Sequence, residues 1–379
     1  MLPHSSLIMT AFSVSLFRCV GTGLALAALA VAATVQNAGN PVLIDRGGVY
    51  IRAAAMHNGS IIAGYAAADG TSHVLHAAQS NNGGASWTYL GEIWRADSAT
   101  HDMDNAEPLV LPSGRILYAF RNHDRVASWG QYTYYRITIC YSDDCGRTWL
   151  FLSHVDQRKA NTNAGANNGL WEPFLRLAAD NTLQVYYSSE NNAKDQDNLM
   201  KYSTDGGATW RGPITVSGGD QTSSRDGMTG VADLDGGGKN LICIFESTES
   251  GPFTITRVLS SDGGYTWSRR ARVYTAGNGK NAGAPQIINV GGALVASFMT
   301  NEATDVATID GGQMKVVTSL NSAAAWSSTG GGTGTSRGAV VTGDRGSHWP
   351  GLFVLDSKCF LALYTRDGLG AVSQRYCLA

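Results

Sequence analysis

One nine-residue pattern recurs along this chain at nearly constant intervals. It reads QSNNGGASW at 79–87, YSDDCGRTW at 141–149, YSTDGGATW at 202–210 and LSSDGGYTW at 259–267. A weaker copy, TSLNSAAAW, ends at Trp326. The closing tryptophans, at 87, 149, 210, 267 and 326, lie 57 to 62 residues apart. Self-similarity at a fixed period marks a repeat architecture, because each unit can bury its apolar face only against the next. The adjacent acids Asp143 and Asp144 invite a metal or catalytic reading. Turn chemistry accounts for the shared positions better. Asp or Asn accepts N–H bonds inside its own turn, glycine supplies positive φ, and Thr-Trp re-enters a strand.

Each unit has the same plan before its motif. An apolar strand meets a tight turn and a second apolar strand follows, as in IRAAAM-HNG-SIIAGYA (51–66) and EPLVL-PSG-RILYAFR (107–121). The plan recurs six times, the last copy being WPGLFVL-DSK-CFLALYT (349–365). Composition agrees: 46 glycines and only 15% charged residues suit short strands joined by tight turns. Six units of four strands, at about 60 residues each, predict an all-β fold, a six-bladed β-propeller of four-stranded antiparallel blades. No composition break divides residues 34–379, so they are expected to form a single domain.

The first 33 residues read differently. Arg18 precedes an apolar run from Cys19 to Ala33 that ends in small residues. Fifteen residues fall short of the roughly 20 that span a bilayer, so 1–33 is expected to be a secretory signal peptide and the protein extracellular. Secretion permits disulfides. Cys359 and Cys377 are equidistant from the turn RDGLG (366–370), which predicts a cross-strand bridge; Cys140 and Cys145 form a second candidate pair, and Cys243 reads as a buried free thiol. No Cys/His spacing suggests zinc, and neither metal nor cofactor is expected. A net charge of -2 makes no case for nucleic acid or an anionic membrane surface. The chain is expected to be a monomer.

Strand direction alternates within a blade, so the topology predicts a working face. If each first strand starts at the top, the tryptophan motifs turn at the bottom. First-strand starts and second-strand ends then converge at the top of the axis, where convergent concavities favour ligands. The starts supply Arg52, Asn105, Glu107, Glu172, Arg225, Asp226, Gln286 and Trp349. The ends supply Tyr65, Arg121, His123, Tyr187, Glu190, Glu246, Met299 and Tyr364. Glu172 and Glu246 come from neighbouring blades, and a carboxylate pair is what glycoside hydrolysis requires. Trp171, Trp349, Tyr187 and Tyr364 suit the apolar faces of sugars. Arg52, Asn105, Arg121, Glu190 and Asp226 complete the expected substrate-binding set, whose partner is a polysaccharide or oligosaccharide.

The tryptophan motifs, together with an arginine in the first strand of blade one (YIRAAAMHNGSIIAGY), resemble the Asp boxes of the sialidase superfamily across residues 40–379. That superfamily grips its substrate carboxylate with three arginines. Arg52 matches the first and Arg225 lies where a second would be, but blade five (NAGAPQIINV) has none. The chain is more similar to glycoside hydrolase family 93, exo-α-L-arabinanases of the same fold. LWEPF around Glu172 and IFE around Glu246 resemble that family's two catalytic glutamates. The resemblance implies retention and release of arabinobiose from the non-reducing end of α-1,5-L-arabinan. The apolar flanks of Glu172 favour the proton donor, and Ser247 and Thr248 favour an ionised Glu246, although the two roles could be reversed. A sialidase and a non-catalytic carbohydrate-binding propeller are the rival expectations.

Overall fold

Six antiparallel sheets account for the strands, as the repeat predicts. The computed structural model describes residues 33–126, 131–161, 163, 167–320, 326–327, 340–343 and 345–379. The chain divides into two compact units, Met1–Ala30 and Val31–Ala379. The first, with almost all of the expected signal peptide, lies outside the described residues. The inner strands are Val49–Ala55, His101–Val110, Leu170–Leu177, Asp226–Asp233, Ala282–Val290 and Ser347–Val354. Each contacts the next in cyclic order, and the sixth contacts the first, so the blades close into a ring.

The ring is closed by strand exchange. Blade six takes Ser347–Val354, Cys359–Arg366 and Gly370–Leu378 from the C-terminal end. Its outer edge is supplied by Val35–Asn37 and Val42–Asp45, both paired antiparallel to Gly370–Leu378. Cys359 and Cys377 are register partners in this blade and form the disulfide. The second candidate pair does not form. Cys140 is buried on the strand Tyr132–Ser142, whereas Cys145 occupies an exposed turn at φ 62°. Strand and turn hold the two sulfurs in different environments. Cys243 is buried and free.

The apolar core lies between blades. One cluster joins Met56, Ile62 and Leu75 of blade one to Ile116, Tyr118 and Phe120 of blade two. The tryptophan motifs are turns that lock these contacts. Asp144 Oδ1 accepts the N–H groups of Arg147 and Thr148 at 3.0 and 2.8 Å, and Ser142 Oγ accepts that of Gly146 at 2.9 Å. Asp262 repeats the arrangement with Tyr265 and Thr266. The indoles reach across blade boundaries: Trp210 Nε1 donates to Ser153 Oγ of blade two, and Trp87 Nε1 to Ser373 Oγ of blade six. Of the weak fifth motif, residues 321–325 lie outside the described residues, and Trp326 is buried in an interblade cluster.

Each inner strand carries one irregularity at the same place. Tyr50, Asn105, Glu172, Met228, Ala284 and Trp349 all have positive φ, between 43° and 61°. A register shift against the second strand surrounds each of them. A non-glycine residue in this region costs on the order of 1–2 kcal/mol, so six are a substantial expense in a fold that could use glycine. Bulges with left-handed residues re-aim side chains, and here they do so once per blade around the axis.

Candidate active site

Four of the six left-handed residues, Tyr50, Met228, Ala284 and Trp349, meet in one cluster with Met299 and Ile309. They come from blades one, four, five and six, so the bulges converge on the axis. Below them the axis holds a cavity of about 410 Å3, lined by inner-strand residues of all six blades, among them Arg52, Glu107, Phe174 and Gln286. Carboxyl groups border this cluster: Glu172 and Asp104 act on Tyr50, and Glu246 accepts the Ala284 N–H.

Glu172 takes its position from its bulge. Burial, then the charge of Glu246, pushes its carboxyl up to about 7; Arg121, Ser188 and Arg225 oppose the shift. The field of Glu246 at Glu172 puts the two carboxyls near each other. Glu246 ends the second strand of blade four, and its Oε2 accepts the Ala284 N–H at 2.7 Å. Burial raises its carboxyl too, while that N–H and Arg225 favour the charged form and Asp310 disfavours it. Gly283 makes the approach feasible. A Cβ there would stand 2.5 Å from Glu246 Oε2 and 2.9 Å from Ile309 Cδ1. Ile309 and Asp310 belong to the long connection between Ala293–Thr300 and Gln313–Leu320, whose Ile309 packs against the axial cluster beside Glu246.

Arg121 is paired with two aspartates. Its Nη2 lies 3.4 Å from Asp102 and 3.6 Å from Asp104, and its guanidinium stands 5.5 Å from the Trp171 ring centre. Trp171 packs edge-on against His123, Tyr132 and Tyr135, and its buried Nε1 has no hydrogen-bond partner. Asn105 and Trp349 occupy two of the six axial bulges.

Five other expected contacts are used differently. Arg52 is buried beneath the Tyr50 ring at 3.9 Å; its Nη1 donates to the carbonyls of Ile51 and Trp349, and its Nε lies 3.7 Å from Glu107. It supports the floor and is not open to a substrate carboxylate. Tyr187 is fully buried between blades two and three, with its hydroxyl on Asp156 at 2.7 Å. Tyr364 packs in the cluster joining blades five and six, with its hydroxyl on Gln374 at 3.0 Å. Strand alternation turns both tyrosines toward a neighbouring blade, not the axis. Glu190 is paired with Arg225 at 2.9 Å and accepts the Gly169 N–H. Asp226 is clamped by Arg270 at 2.6 and 3.0 Å. These two carboxylates hold strand ends in place.

Sequence reasoning passed over Tyr50 and Asp104 and left Glu107 in reserve. Burial pushes the Glu107 carboxyl up to about 8 against the pull of Arg52. The signal was present: stacking the six first strands puts Tyr50, Asn105, Glu172, Met228, Ala284 and Trp349 in one column. Among the described residues, no group of three or more His, Cys, Asp or Glu side chains could hold a metal ion. No described helix is long and apolar enough to cross a membrane.

No family model matches this chain. A sialidase from Paraclostridium sordellii is 25% identical over 213 residues, so the match spans 51% of this chain and about half, 49%, of that protein. Among solved structures, an α-L-arabinanase of Penicillium chrysogenum complexed with arabinobiose superposes with a TM-score of 0.63 at 17% identity, over 92% of this chain and 98% of that one. The GH93 α-L-arabinofuranosidase of Fusarium graminearum, also with arabinobiose, gives 0.65 at 17% identity, over 92% and 97%. Likeness at such identity is likeness of fold, and it covers the whole ring. By its repeats, its sheet order and these neighbours, the chain is a sialidase-like six-bladed β-propeller.

Proposed function

We propose that this protein is a secreted, retaining exo-glycoside hydrolase that releases arabinobiose from the non-reducing end of α-1,5-L-arabinan. The observation that carries the reading is the pair Glu172 and Glu246, on neighbouring blades and close enough for the charge of Glu246 to help raise the Glu172 carboxyl, with Glu246 accepting the Ala284 N–H. A raised carboxyl suits the proton donor, and a donated N–H favours the charged form of the other. Glu172, held protonated near neutrality, gives its proton to the glycosidic oxygen as that bond breaks. Glu246, whose charged form the Ala284 N–H favours, attacks the anomeric carbon and forms a glycosyl ester. Glu172, now a carboxylate, takes a proton from water, whose oxygen displaces Glu246 and releases the sugar. The fold neighbours solved with arabinobiose support the choice of sugar.

The test is product analysis on linear arabinan. Wild type is expected to release arabinobiose, and Glu172→Gln and Glu246→Gln to lose roughly three or more orders of magnitude in kcat. Unchanged carbohydrate binding and function in both variants would instead indicate a non-catalytic propeller. A sialidase is the second reading, favoured by the Paraclostridium relative. Against it, Arg52 lies under Tyr50, Arg225 is held by Glu190 and Gln196, and blade five offers Gln286. Without free guanidinium forks a sialic acid carboxylate would be poorly neutralised. Hydrolysis of a fluorogenic sialoside, with no arabinobiose from arabinan, would reverse the order of the two readings.

A further inference from the structure

Tyr50 occupies in blade one the bulge position that Glu172 occupies in blade three, at φ 54°. Its ring is fixed on three sides. The Arg52 guanidinium lies 3.9 Å from the ring centre, the Trp349 ring stands at 6.3 Å, and the Tyr50 N–H donates to Thr365 Oγ1 at 3.2 Å. The residue is only 4% exposed, yet its hydroxyl makes no hydrogen bond among the described residues and is not sealed from solvent. A phenol hydroxyl at such burial normally finds a partner. Burial first, and then the carboxyl groups of Glu172, Glu107 and Asp104 against the pull of Arg52, keep it un-ionised, hence a donor that can also accept, and argue against its serving as a nucleophile. Met228 and Ala284, which share its cluster, offer no side-chain oxygen or nitrogen.

We propose that Tyr50 is a specificity-determining contact of the sugar whose glycosidic bond is cleaved, the inner unit of the released arabinobiose, its hydroxyl bonding one of that sugar's two free hydroxyls. The sugar then has a fixed face. Its C–H surface lies toward Met228, Ala284 and Trp349, and its hydroxyl edge toward Tyr50, Asn105 and Glu172. The fixed Tyr50 ring is preorganised for this role, because no side-chain rotation has to be frozen on binding. This contact rests on the glycosidase reading above.

The experiment uses α-1,5-arabinotriose and its two forms singly deoxygenated on the middle sugar, at position 2 or 3, with wild type and Tyr50→Phe. Phenylalanine keeps the ring over Arg52 and removes only the hydroxyl. On the parent trisaccharide, Tyr50→Phe is expected to lose about tenfold in kcat/KM, the value of one hydrogen bond. One deoxy form should cost the wild type a similar factor and cost Tyr50→Phe nothing further, whereas the other should cost both proteins alike. The deoxy series on wild type stands without any variant, so a folding defect in Tyr50→Phe cannot mimic the result. An active wild type with Tyr50→Phe within twofold of it on the parent sinks the Tyr50 contact alone. So does a Tyr50→Phe loss that persists equally on both deoxy forms. A wild type that cleaves none of the three overturns the arabinanase reading and this contact with it.

Discussion

Glu172 lies in two conflicting environments. Its bulge aims it at the axis, and burial with a second carboxylate nearby makes its ionisation unfavourable. The same conflict suits it to donate a proton. Its carboxyl is raised to about 7 in the folded chain, from an ordinary 4.5. Between those values the folded state binds a proton that the unfolded state has lost. The related stability is therefore complete below about pH 4.5 and declines as pH rises through about 7. Glu172→Gln should remove that decline. The variant is expected to match wild type at pH 4 in urea titrations and to exceed it at pH 8, by on the order of 2 kcal/mol. In the wild type, kcat should fall tenfold per pH unit above about 7, as the donor loses its proton. A variant equally stable with wild type at both pH values would separate Glu172 from the strain assigned to it.

At the scale of elements, the two irregularities of a blade have opposite uses. The Asp-box turns are satisfied inside themselves and hold neighbouring blades together. The inner-strand bulges leave groups aimed at the axis. Gly283 and Asp262 separate the two. Gly283→Ala puts a Cβ where Glu246 Oε2 and Ile309 now stand, so the carboxylate must move. A displacement of about 1 Å costs roughly 100-fold in rate, and we expect at least that loss with little change in melting temperature. Asp262→Ala removes bonds to Thr266 and Tyr265 at the far end of a blade. It should lower the melting temperature by roughly 2 °C and leave kcat/KM unaltered. Parallel thermal scans and initial rates on both variants check the contrast; reversal of the two patterns would put the working face at the wrong end.

The unit Val31–Ala379 is a ring of blades, and rings fail at their closure. Blade six is built from both ends of the described chain, with Val35–Asn37 and Val42–Asp45 on its outer edge. The Cys359–Cys377 bridge ties the two strands beside that edge across a separation of 18 residues. A crosslink of this length stabilises by about 3 kcal/mol, less where a hairpin already holds its ends together. Cys359→Ser with Cys377→Ser is accordingly expected to lose about 2 kcal/mol in guanidinium unfolding. Hydrogen exchange should rise first in blade six. Loss spread evenly over all six blades would mean that closure is not the weak point.

Much of this was legible in the sequence because it depends on local rules. The Asp-box spacing specified six blades, since a turn that satisfies its own backbone needs no tertiary partner to be recognised. Strand alternation then pointed to the face opposite those turns, where Glu172 and Glu246 lie near each other, and equal spacing about one turn pointed to the Cys359–Cys377 bridge. The direction of individual side chains was another matter. Tyr187, Tyr364, Glu190 and Asp226 lie at the expected ends of strands, yet each is held by a blade neighbour or an arginine that is distant in sequence. Arg52 has the right position and the wrong exposure, because Tyr50 lies over it. Tyr50 itself gives no local sign, since its backbone turns left-handed only where the strand slips one residue against its partner. The repeat by itself determined the architecture and which strand ends lie opposite the Asp-box turns. Packing between blades decided which side chains reach that end, because a side chain's reach there depends on what its neighbours across the ring leave open.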